Sequence, residues 1–159
     1  MKIKFMVAAK TVTGSCYVVE TNGHRFAVDF GMHQGNMEIE KRNWDMEAYE
    51  PKTIEFCLIT HAHIDHSGLL PRLVKEGFRG PIYTTPPTKD LLEILLLDSA
   101  HIQEMEAQWK SKKRARHGDN HIEALYTQKD AALTFPLIKA VTYENPFTPF
   151  PGIKINFRD

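Results

Sequence analysis

The chain has 159 residues, 42% of them hydrophobic and 25% charged, with a formal net charge of zero. Such a length fits one globular domain, and such a composition excludes an intrinsically disordered segment. The charge balance excludes a global pull toward nucleic acid or an anionic membrane, while leaving room for a local patch.

From the N-terminus, residues 2–8 (KIKFMVA) alternate and predict a strand; the apolar run is too short for a signal peptide. Residues 16–21 (CYVVET) and 24–30 (HRFAVDF) predict a β-hairpin around Asn22-Gly23, because that dipeptide supplies the positive φ values of a tight turn. Residues 31–51 are polar and mixed and read as loop plus a short helix. Residues 54–60 (IEFCLIT) predict a buried strand, and 67–77 a helix closed by Gly77, with Pro71 tolerable only near its start. Residues 80–85 (GPIYTT) form the next predicted strand. One long helix is expected from Thr88, as N-cap, to Arg116, with basic residues at its C-terminal end. Its greasiest run, LLEILLLDSA, is broken by Glu93 and Asp98 and does not span a membrane. A shorter helix over 127–137 and strands over 139–144 and 152–157 complete the chain. Hairpin strands followed by strand–helix–strand–helix predict an α/β fold with a mixed sheet covered by helices. Cys16 and Cys57 each sit in an apolar run, which argues against a disulfide framework and for a reducing, cytoplasmic compartment.

The stretch HAHIDHSG follows the buried strand directly. Three of the eight histidines fall within residues 61–66, beside Asp65. Alternation at a strand end points His61 and His63 to one side, where they can share an ion. A turn at Asp65 and His66 aims both at a second ion nearby. Imidazole nitrogen with carboxylate oxygen suits Zn²⁺, and less selectively Mn²⁺ or Fe²⁺. The plainer alternative is a polar loop with capping residues.

THAHIDHSG resembles the His-x-His-x-Asp-His signature of the metallo-β-lactamase superfamily. TVTGSCYVVE (residues 11–20), VDFGMHQG (residues 28–35) and the PPTKDLLEILLLDSAHIQE helix are similar to the β-CASP RNA-processing nucleases, relatives of ribonuclease J and of the cleavage and polyadenylation endonuclease. At Val7 the chain departs from relatives that often carry glycine. The resemblance implies the N-terminal half of an αββα sandwich over residues 1–159. It implies His61 and His63 as ligands of one zinc ion, Asp65 and His66 as ligands of a second, and Asp29 as a supporting carboxylate behind them. It further implies hydrolysis of an RNA phosphodiester by a metal-generated hydroxide that Asp65 orients. A thioester or lactam hydrolase on the same scaffold is the alternative within enzymes, and a catalytically dead interaction half-domain the alternative outside them.

The third family motif, with the ligands beyond it, and the β-CASP insertion are absent from these residues. Weak or partial zinc occupancy, and little activity of this chain alone without a complementing half, are therefore expected. One sheet face is expected to remain apolar and exposed, favouring homodimerisation or poor solubility. Which residues bind substrate is open. Among lesser features, Lys110–Arg116 has five basic residues in seven and reads first as a solvated helix end, second as an RNA contact. His33 is a candidate for the substrate mouth. His101, His117 and His121 read as surface residues and His24 as uninformative. Trp44 and Trp109 read as core or interface packing, and Ser15 and Cys16 as a buried strand start.

Overall fold

In the computed structural model, residues 1–6, 13–115 and 121–158 are described; Val7, Thr11, Arg116 and His117 fall outside them. Alternation decides the first three strands: β1 (Lys2–Phe5), β2 (Tyr17–Thr21) and β3 (His24–Val28). Both β1–β2 and β2–β3 pair antiparallel, with Thr21 opposite His24. The turn between them places Asn22 at φ 51 and Gly23 at φ 79, as the hairpin reading requires. From β3 onward the sheet is parallel: β4 (Phe56–Leu58), β5 (Ile82–Thr84) and β6 (Ile138–Ala140) follow in spatial order, giving a six-stranded mixed sheet β1-β2-β3-β4-β5-β6.

Parallel neighbours need crossovers, and here these lie on one face. The first is an irregular segment holding α1 (Met37–Glu40) and three 3-10 turns. The second holds α2 (Ile64–Ser67) and α3 (Leu70–Lys75), and the third α4 (Pro86–Ala115) and α5 (Gln128–Thr134). Met46, Tyr49, Leu70, Leu73, Leu92, Leu96 and Ala131 from these crossovers pack on Val18, Ala27, Cys57, Ile59 and Ile82 of the strands and their exits. Cys16 and Cys57 are both free and buried.

Several boundaries differ from the sequence reading. The predicted helix over 67–77 is split, with a separate turn beginning at Ile64 inside the histidine stretch. The long helix begins at Pro86 rather than with Thr88 as cap. Its first bond runs from the Lys89 N–H to the Thr85 carbonyl, so both prolines occupy the first turn, where no donor is needed. The strand expected over 139–144 lies at Ile138–Ala140 instead.

A strand not anticipated, β7 (Phe147–Phe150), pairs antiparallel with β8 (Ile153–Ile155). This hairpin changes the expectation of a bare apolar face. Phe150, Ile153 and Ile155 pack on Val19, Phe26, Phe56, Leu58 and Tyr83, and Phe26 and Phe56 are buried. Phe56 stacks between Phe26 at 4.5 Å and Phe150 at 5.7 Å. Toward the β1 edge that face stays open, at Ile3 and Phe5. Among the described residues no helix is long and apolar enough to cross a membrane.

Candidate metal centre

The candidate site forms where the chain leaves β3 and β4 at the same end of two parallel neighbours. β4 ends at Leu58, so His61 and His63 occupy the loop after it, and Asp65 and His66 lie in the single turn of α2. The two histidines therefore do not owe their proximity to strand alternation. A folded loop brings them together, with ring centroids of His61 and His63 4.8 Å apart and of His61 and His66 4.0 Å apart. Ser67, fully buried, donates its hydroxyl to the Ala62 and His63 carbonyls at 3.0 Å and locks that loop.

The segment after β3 is stitched to the same turn from beneath. Phe30 N–H donates to the His66 carbonyl at 2.7 Å, Met32 N–H to Ile64 at 2.9 Å, and Ser15 N–H to Asp65 at 2.7 Å. These bonds require two backbones to touch. At Gly31 a Cβ would overlap the Asp65 carbonyl, so only glycine fits.

Asp29 is the hub. Its backbone is left-handed at φ 57, and its carboxylate is 3% exposed. A buried carboxylate must be heavily hydrogen-bonded. Oδ1 accepts the Thr60 N–H at 2.9 Å, the Thr60 hydroxyl lies 2.9–3.0 Å from both carboxylate oxygens, and Oδ2 stands 2.8 Å from His66 Nδ1. Because the carboxylate only accepts, His66 presents an Nδ1 proton to it and turns Nε2 toward Asp65. The same logic extends one residue: the Thr60 hydroxyl, donating to Asp29, accepts from His61 Nδ1 at 2.9 Å and frees His61 Nε2. Burial, then the neighbouring His66, lowers the His61 pKa, which favours the uncharged ring. Imidazoles that bind metals are commonly held through the other ring nitrogen by an acceptor, as both rings are here.

The donor types thus fit a transition-metal ion. His66 Nε2 and Asp65 Oδ2 stand 3.7 Å apart, close to the roughly 3.3 Å between two tetrahedral ligands about 2.0–2.1 Å from zinc. The count falls short: among the described residues, no three His, Cys, Asp or Glu side chains are arranged to hold one ion. What the structure gathers is two pairs of donor side chains, His61 with His63 and Asp65 with His66, and the groups that support them.

Of the residues named from sequence, His61, His63, Asp65, His66 and Asp29 are gathered in one place. His33 borders a surface pocket shared with Met32 and Ile64 but is itself buried. It is 2% exposed, its backbone N–H donates to Asn43 Oδ1 and its carbonyl accepts from Asn43 Nδ2, at 2.7 and 2.9 Å. His24 instead has a structural partner, Glu55, at 3.0 Å. Trp44 and Trp109 are exposed rather than in the core; Arg72 lies over the first ring and Lys113 over the second. Thr60 and Gly31 were missed. The hydroxyl directly before the histidine stretch and the glycine two after Asp29 were the available signals.

A profile described as the Metallo-beta-lactamase superfamily matches residues 9–89. Among curated proteins, Ribonuclease TTHA0252 of Thermus thermophilus is 42% identical over 65% of this chain and 24% of its own length. Transcription termination factor FttA of Methanosarcina mazei is 36% identical over 62% of this chain and 16% of its own. Endoribonuclease YSH1 of Gibberella zeae is 28% identical over 87% of this chain and 16% of its own. The chain thus spans about a quarter or less of the length of these relatives. Among solved structures, MEM-A1, a subclass B3 metallo-beta-lactamase from a soil metagenome library, aligns with a TM-score of 0.48 at 13% identity, over 87% of this chain and 44% of that one.

Proposed function

The chain belongs to the metallo-beta-lactamase superfamily, and from that premise we propose that it is the N-terminal portion of a zinc-dependent, β-CASP-type RNA phosphodiester hydrolase of the cytoplasm. His61 and His63 would hold one ion, Asp65 and His66 a second. The remaining ligands would come from a complementing part of the domain. Zinc, when bound, supplies Lewis acidity and makes a water molecule acidic near neutral pH. The chain's own residues do the rest. Asp29 fixes the tautomer and bearing of His66 directly, and those of His61 through the Thr60 hydroxyl. Asp65, half-buried beside His66 Nε2, would orient a nucleophile and hold its proton through a carboxylate oxygen.

The observation that carries this reading is the shared support of two histidines by one buried carboxylate, an arrangement with no use in a plain polar loop. RNA as substrate rests on relatives named as a ribonuclease and an endoribonuclease. Two buried free thiols agree with a reducing compartment.

Cobalt(II) titration followed by absorption tests the metal. We expect binding weaker than micromolar, abolished by His66→Ala. Absorption that is unaltered in the His61→Ala/His66→Ala double variant would remove the reading. For the substrate, a labelled RNA and a thioester should be offered to the protein with its complementing part; turnover of the thioester alone would reverse the choice. A second reading, a metal-free interaction module, is favoured by the lack of any three-ligand group among the described residues. A calorimetric zinc titration without heat would establish it.

A further inference from the structure

Helix α4 has two apolar faces, and the fold uses one. Leu92, Leu96, Ala100 and Ala107 point inward and are buried. On the opposite side Leu91, Ile94, Ile102, Met105 and Trp109 are 51%, 66%, 49%, 56% and 62% exposed. With Asp98 they recur at intervals of three and four, so they form one continuous stripe. It runs about 27 Å at 1.5 Å per residue. Scattered exposed apolar residues need no explanation; a ridge of five large ones on one helix does.

We infer that this stripe is the contact surface for a second copy of this chain, with the two α4 helices packed antiparallel about a two-fold axis near Ala100. Three observations select that partner. First, the spacing is self-complementary about Ala100. Reversed, Leu91 meets Trp109, Asp98 meets Ile102 beside His101, which offers the carboxylate a partner at the axis, Ile94 meets the aliphatic stem of Glu106, and Met105 meets Leu95, which is half-buried against the core. Second, the charges match in that direction alone. Exposed Asp90 and Asp98 lie in the N-terminal half and exposed Lys112 and Lys113 in the C-terminal half, so antiparallel pairing sets opposite signs together. The acidic groups of the C-terminal half are already engaged, Glu106 with Lys110 at 3.0 Å and Glu104 with Gln128 at 2.9 Å. Third, antiparallel helices also oppose their dipoles favourably. The stripe lies on a different element from the histidine cluster, so the inference stands independently of the proposed activity.

Sedimentation of the 159-residue chain over a range of concentrations tests it. The expected result is a monomer–dimer equilibrium. Met105→Lys and Ile94→Glu should each weaken it at least about tenfold, with far-UV circular dichroism unchanged, and with melting unchanged at concentrations where the wild-type chain is monomeric, because both sites are exposed in the single chain. Lys112→Glu with Lys113→Glu should weaken it, and adding Asp90→Lys to the same chain should restore it. Direction is read by disulfide trapping. A mixture of Leu91→Cys and Trp109→Cys chains should cross-link to each other, and neither should cross-link to itself. A monomer at every concentration, a dimer indifferent to Met105→Lys, or cross-links of Leu91→Cys with itself would each overturn the inference.

Discussion

At the scale of single residues, the site depends on one buried charge and one missing side chain. Asp29→Asn keeps the shape of the hub but replaces an acceptor oxygen with an amide that donates, toward groups that also donate. Metal affinity should fall by roughly 10–100-fold, measured by cobalt(II) titration; an unchanged affinity would mean that His66 needs no such support. Gly31→Ala drives a methyl into the Asp65 carbonyl, and the parallel crossover cannot shift without releasing Phe30, Met32 and Ser15. A loss of about 3 kcal/mol is expected in urea unfolding. Away from the site, Glu55 has a carboxyl pKa below its ordinary 4.5, chiefly because it accepts the Arg25 N–H, with His24 adding to the effect and partial burial opposing it. A depressed pKa contributes stability that is present above the unfolded value and lost as pH falls through the folded one. The wild-type chain should therefore lose stability below about pH 4.5 more steeply than Glu55→Gln, by thermal unfolding from pH 6 to pH 3.

At the scale of elements, local signals were sharp where a residue's own chemistry forms the bond. Thr127 and Asp130 cap α5 reciprocally, the Thr127 hydroxyl accepting from the Asp130 N–H at 3.2 Å and the Asp130 carboxylate from the Thr127 N–H at 2.9 Å. Thr127→Ala should cost about 1 kcal/mol, measured by chemical denaturation, and no loss would mean that packing alone holds the helix. The hairpin at Asn22-Gly23 was equally legible. The start of α4 was not, because Thr85 and Thr88 are both good caps. Their hydroxyls bond each other at 3.0 Å, and the choice falls to where β5 delivers the chain.

At the scale of the whole molecule, the sheet is closed on both sides by elements far apart in sequence. The crossover helices cover one face, and β7–β8 covers the other over β2 to β5. Phe150→Ser should loosen that hairpin, lower stability by about 2 kcal/mol and raise binding of an apolar dye. A variant with unchanged dye binding would place the stabilisation elsewhere.

Periodicity, turn chemistry and the clustering of three imidazoles with a carboxylate determined the strands other than β7, the longer helices, the mixed sheet and the stretch that carries the candidate ligands. Those are properties of short stretches, and short-range sterics and hydrogen bonding set them. Only the tertiary structure decided that Thr60 links His61 to Asp29, that Gly31 admits the backbone beneath Asp65, that His33 is buried, and that a late hairpin covers the second face. Each of these joins segments dozens of residues apart, and burial and close contact at such separations depend on packing that no local pattern encodes.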